Sequence, residues 1–167
     1  MPIGKEEIII GIDPGIADTG YGIIKKNGSD LTLIDYGSIK TSSKLVLSQR
    51  LFDLSKELKE ILAKYQPEFC VIEQLFFCNN EKTALIVGQA RGVALLTLFE
   101  AQIKIMELTP LQVKQGITGY GKADKKQIQQ MVKIILKLKE IPKPDDAADA
   151  LAMAICGANL IKTSQLI

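Results

Sequence analysis

The 167-residue chain contains no histidine and no tryptophan. Without imidazole there is no Ser-His-Asp triad, no histidine general base and no ordinary zinc site. Any hydrolysis by this chain has to run on carboxylates, with hard divalent ions that take oxygen ligands. Arginine is almost as scarce, since Arg50 and Arg91 are the only two among 21 basic residues. A polyanionic partner would therefore meet lysine point charges. These neutralise phosphate well but read guanine poorly, so recognition would rest on shape and backbone. The cysteines are few and odd in number (Cys70, Cys78 and Cys156) and form no CxxC pair. That fits a reducing compartment, with thiols serving as small apolar side chains. No unbroken apolar run reaches the roughly 18 residues of a membrane-spanning helix, and MPIGKEE has no signal-peptide pattern. The expectation is a soluble cytoplasmic protein with no membrane partner.

With 47% hydrophobic residues and a net charge of +2, the sequence can bury a real core, and residues 1–167 read as a single domain. The stretch around which the rest is arranged is IIIGIDPGIADTGYGII, Ile8 to Ile24. Ile8 to Ile12 is an unbroken strand pattern of the kind buried on both faces of a mixed or parallel sheet. It ends on Asp13 and is stopped by Pro14-Gly15. A carboxylate there stands at the mouth of the sheet, where α/β proteins bind ligands, although an Asp-Pro-Gly turn also gives Asp13 an innocent role in holding turn amides. Tyr21–Lys26 and Leu31–Ile39 read as two further strands joined at Asn27-Gly28. Helical spacing of Leu51, Leu54, Leu58, Ile61, Leu62 and Tyr65 predicts an amphipathic helix over about Leu45–Tyr65. Phe69–Ile72 is a second buried strand, again ending on an acid, Glu73; the intervening helix makes it a parallel crossover.

Further along, Gln74–Asn80 reads as a loop with two adjacent phenylalanines, and Thr83–Phe99 as a helix apolar nearly all round. In that helix Ala84, Gly88 and Gly92 form a small-residue stripe, a sign of close contact with the sheet or with a second subunit, because mid-helix glycine costs roughly 1 kcal/mol. Lys104–Leu108 is a fifth strand, Pro110 opens a short helix, Gly116–Gly121 reads as a flexible loop and Asp124–Leu138 as a Lys- and Gln-rich helix. A last helix begins at about Asp145. Acids in its first turn have an ordinary capping role, which suffices for Asp145. Asp149 is different, being set among Ala and Leu, where an uncompensated carboxylate costs several kcal/mol. Asp146 and Asp149 share a face. With the two strand-end acids they make a cluster of four, the pattern of a divalent-metal site. Such sites run phosphoryl transfer with two ions roughly 4 Å apart, one activating water and one stabilising the leaving oxygen.

GIDPGxxxTGYGII, IEQ followed by phenylalanine, GQARGVA, QVKQ, GxGxADKxQ and DAADALAxA, in that order from about Ile8 to Asn159, resemble the RuvC family of Holliday-junction resolvases. The resemblance implies an RNase H-like α/β fold, a five-stranded mixed sheet flanked by helices on both faces. It implies a homodimeric, metal-dependent endodeoxyribonuclease of recombination and DNA repair that cuts four-way junctions by symmetric paired nicks. The cofactor would be Mg2+, with Mn2+ able to substitute, two ions per site. Matched by motif, the catalytic and metal-binding acids would be Asp13, Glu73, Asp146 and Asp149. Phe76 would stack on bases, which is worth about 1–3 kcal/mol per base. Lys114 and Lys125 would hold the DNA backbone, with Lys122 and Arg91 as further candidates. The Thr83–Phe99 helix would form the dimer, and a branch-migration motor of the RuvA and RuvB type would be the partner. Two alternatives stay open: an RNase H-type or other structure-selective nuclease without junction specificity, and a junction-binding protein without catalysis. Gly116–Ala123 nearly spells a phosphate-binding loop but has alanine where the magnesium-binding hydroxyl belongs.

Overall fold

A computed structural model describes residues 5–74 and 80–164. Ten elements follow in the order β1 (Glu7–Asp13), β2 (Asp18–Asn27), β3 (Asp30–Lys40), α1 (Leu47–Tyr65), β4 (Phe69–Glu73), α2 (Glu81–Glu100), β5 (Lys104–Leu108), α3 (Pro110–Thr118), α4 (Lys125–Ile135) and α5 (Asp145–Ser164). The strands form one sheet in the order β3-β2-β1-β4-β5. β1 to β3 are an antiparallel meander, and β4 and β5 run parallel to β1. This is the five-stranded mixed sheet expected.

Side chains alternate across a strand, and here the alternation sorts two cores. Ile10, Ile12, Ile23, Cys70 and Ile72 pack on α1 and α2 through Leu54, Leu58, Ala90, Ala94 and Leu98. Ile9, Ile24 and Val71 pack on the other side, mainly against α5. Asp13 has the parity of Ile9 and Gly11, and Glu73 that of Val71, so both acids face α5.

How closely α5 approaches the sheet is set by missing side chains. A Cβ at Gly11 would lie 1.9 Å from the Ala150 carbonyl oxygen, one at Gly20 would lie 2.1 Å from that of Asp146, and one at Gly22 would lie 2.6 Å from the Leu151 side chain. Alanines on the helix complete the fit, and residues 150–158 are buried without a break.

Two expectations change. The Gly116–Gly121 segment is not all loop, because α3 continues through Gly116 to Thr118. A Cβ at Gly116 would lie 2.3 Å from Cys156 Sγ, so glycine is what lets α3 lie against α5. The helix stops at Gly119, which takes the left-handed φ of 71°. The small-residue stripe of α2 is also not one face. Ala84 is buried, while a Cβ at Gly92 would meet nothing within 4 Å. Four-residue spacing overshoots the 3.6-residue turn, so from Ala84 to Gly92 the stripe drifts by about 80° around the helix.

Candidate active site

Asp13 is the last residue of β1. The turn after it is closed by Thr19, whose hydroxyl donates to the Gly15 carbonyl, leaving the Asp13 carboxylate directed toward α5. Directly across from Asp13 in the ladder is Gly20. Opposed residues of an antiparallel pair point to the same face, and into the notch at Gly20 comes the backbone of Asp146. One oxygen from each of Asp13, Asp146 and Asp149 lies within 4.8 Å of the others. Glu73 is not in that trio, but with Asp13 and Asp149 it lines a cavity of about 260 Å³ whose lining also includes Lys114, Asp124 and Lys125.

Electrostatics mark the cluster as incomplete without positive charge. Burial first, then Glu73, Asp149 and Asp146, push the Asp13 carboxyl up to about 8, with Lys125 pulling the other way. Burial and then Asp149 raise Glu73 above the ordinary carboxylate range. Asp149 is raised as well, mainly by burial, against the downward pull of Lys125. Carboxylates held this close repel one another, and a bound cation removes that cost. An all-oxygen donor set suits a hard ion such as Mg2+ or Mn2+. The residues present fit such an ion.

Every sequence-predicted site residue but Phe76 has a definite place. Asp145 lies outside the trio, held by Lys143 at 3.0 Å and Gln129 at 3.2 Å, and its pKa is lowered, first by Lys143. Lys125 Nζ stands 3.3 Å from Asp149 and 3.6 Å from Asp145. Burial pulls its ammonium down, but Asp149 and the neighbouring acids outweigh this and hold it above its usual value. Lys114 is on the cavity wall, and Lys122 is exposed on the connection between α3 and α4. Arg91 turns inward to Glu107 and to the main chain of Glu73, away from the cavity lining. Phe76 lies outside the described residues, as does Cys78. Sequence reasoning missed Gly20, whose part in seating Asp146 is visible only once α5 is docked. It also missed Gln129, a 7% exposed amide that steadies Asp145.

A mixed sheet with acids ending its two central parallel strands, and two more acids on the helix laid across them, defines an RNase H-like nuclease. The comparisons narrow the class. The profile of crossover junction endodeoxyribonuclease RuvC matches residues 9–157, and the chain belongs to the RuvC family. It is 61% identical over 149 residues to the crossover junction endodeoxyribonuclease RuvC of Caldicellulosiruptor saccharolyticus, covering 89% of this chain and 90% of that one. It is 55% identical to the Alkaliphilus metalliredigens protein of the same name, covering 91% and 93%. Among solved structures, Thermus thermophilus RuvC in complex with a Holliday junction substrate matches with a TM-score of 0.90 at 34% identity, over 95% of this chain and 96% of that one. The yeast mitochondrial Holliday junction resolvase Ydc2, at 17% identity and a TM-score of 0.68, shares the fold.

Proposed function

We propose that residues 1–167 act as a single nuclease domain that resolves four-way DNA junctions by symmetric paired nicks, in recombination and repair in the cytoplasm. The observation that carries this reading is the convergence of Asp13, Asp146 and Asp149 within 4.8 Å at the end of two parallel strands. Asp13, Asp146 and Asp149, with Glu73 on the cavity wall, would hold Mg2+ or Mn2+, two ions per site. When bound, such ions neutralise the scissile phosphate and lower the pKa of the attacking water.

The chain's own residues do the rest. Packing of α5 on the sheet glycines keeps Asp146 and Asp149 one turn apart over Asp13, so the carboxylates need not reorganise on binding. Lys114, in the same cavity lining, and Lys125, beside Asp149, offer ammonium groups to the DNA backbone; Lys122, exposed on the α3–α4 connection, extends that surface. Phe76 would stack on bases at the junction centre.

A four-way junction needs two matching sites, which a two-fold dimer supplies. The candidate surface is the outer face of α2. Leu85, Leu96 and Phe99 are 67%, 59% and 75% exposed, and with Gly92 they recur on one side of the helix. This helix is apolar enough in composition and length to cross a membrane, but Ala84, Ala90, Ala94 and Leu98 bury its inner face. A second copy of the chain is the occupant proposed for the outer one. A motor of the RuvA and RuvB type is the proposed partner on the junction.

The test is cleavage of a synthetic four-way junction, a linear duplex and an RNA–DNA hybrid, with Mg2+ or with EDTA. Paired, metal-dependent nicks on the junction alone are expected. Cutting of the duplex or hybrid would move the function to a general nuclease, and tight junction binding without cutting would make it a binding protein.

A further inference from the structure

Arg91 sits where a DNA-contacting arginine is of little use. Its side chain is 15% exposed, and its guanidinium is already engaged at both ends. Nε donates to the main-chain carbonyl of Glu73 at 3.0 Å, and Nη2 donates to Glu107 Oε2 at 2.6 Å. Reaching a phosphate would strip a donor from the Glu73 carbonyl and leave Glu107 without its counter-charge, and breaking a charge-assisted bond of this kind costs more than an ordinary hydrogen bond.

The position of that carbonyl matters. Glu73 is the last residue of β4, opposite Leu108 of β5. The amide of the next residue, Gln74, still donates to the Leu108 carbonyl at 2.8 Å, so the sheet holds one side of the chain just past the acid. The Glu73 carbonyl itself accepts from Arg91, which reaches down from α2. Its second bond, to Glu107 beside the same strand end, fixes the fork in orientation. Lysine, a point charge, cannot serve a carbonyl and a carboxylate in a fixed geometry.

We infer that Arg91 is a positioning residue for Glu73: it clamps the carboxyl ends of β4 and β5 to α2 and so sets where the Glu73 carboxylate stands in the cation site. The inference rests on the reading of Glu73 as part of that site. It replaces a phosphate contact with a second layer of support for the acid. Partners of this kind change metal affinity by about 10–100-fold when removed.

The experiment compares Arg91→Ala, Arg91→Lys, Glu107→Gln and Glu73→Gln in the full-length protein. Mn2+ binding is measured by calorimetry, and junction affinity in EDTA is measured over a range of salt. Arg91→Ala is expected to weaken Mn2+ binding about tenfold, Arg91→Lys to fail to restore it and Glu107→Gln to fall between, with junction affinity and its salt slope unchanged. A phosphate contact would instead reduce the salt slope by about one and be rescued by lysine, with Mn2+ binding intact; that result overturns the inference. A lower melting temperature with unchanged Mn2+ binding would overturn it too, by making the clamp merely structural. Glu73→Gln separates the two levels. If it weakens Mn2+ binding while Arg91→Ala does not, the inference alone fails. If Glu73→Gln binds Mn2+ like the wild type, the reading of Glu73 fails and the inference with it.

Discussion

α5 and α2 are both 20-residue helices, both rich in apolar residues, and they lie on opposite faces of one sheet. α5 is enclosed. It is pressed onto Gly11, Gly20 and Gly22 so tightly that no side chain could fit beneath it, and two carboxylates at its start are carried into the site. α2 buries its inner face through Ala84, Ala90, Ala94 and Leu98 and leaves Leu85, Leu96 and Phe99 outward. Hydropathy does not separate these two helices. The strands beneath them do, because glycines on one face of the sheet let a helix backbone come into contact, while Ile10, Ile12, Ile23 and Ile72 on the other hold it off. The close helix brings Asp146 and Asp149 beside Asp13; the distant one leaves an apolar face outward and reaches the end of β4 through Arg91.

The contrast predicts effects of very different size. Asp149→Asn on α5 is expected to reduce junction cleavage by about a thousandfold, roughly 4 kcal/mol of transition-state stabilisation, while junction binding in EDTA survives; gel-shift and cleavage assays read the two separately. Next in size is a paired measurement of thermal unfolding. Leu151→Ala, fully buried where α5 meets β2, should cost about 2–5 kcal/mol. Leu96→Asp on the outer face of α2 should cost the protomer fold less than about 0.5 kcal/mol and instead drive dimer to monomer in sedimentation. A large unfolding effect from Leu96→Asp would break the comparison.

A further effect is a slope against pH. In EDTA, the Asp13 carboxyl of the folded protein keeps its proton up to about 8, whereas its ordinary value is 3.8. Between those values the folded state binds a proton that the unfolded chain has released. Stability is therefore greatest at the acid end of this window and falls as pH rises through it. Asp13→Asn should flatten that fall in melting temperature against pH, and saturating Mn2+ should do the same for the wild type by binding the ionised acid.

Much of this was legible in the residues. Unbroken apolar runs ending on Asp13 and Glu73 announced two central parallel strands with acids at their tips. The three-residue step from Asp146 to Asp149 named the helix face that would join them. Spacing alone failed where packing decided. The stripe of Ala84, Gly88 and Gly92 looked like one contact surface, yet it winds from a buried alanine to an open glycine. Gly116 looked like the start of a flexible loop, yet it sits inside α3 because Cys156 needs the room. Arg91 read as a candidate DNA contact within GQARGVA, and nothing in its neighbours along the chain points to its bonds with Glu73, 18 residues back, and Glu107, 16 ahead.

By itself the sequence determined the order of strands and helices, the absence of any imidazole chemistry and the four acids, because these follow from local pattern and residue type. Only the tertiary structure decided which acids converge, which lysines share their cavity and which arginine is spent on holding the strand end. Such choices are made by how near one backbone can come to another, and here a hydrogen atom in place of a side chain at Gly20 sets that distance.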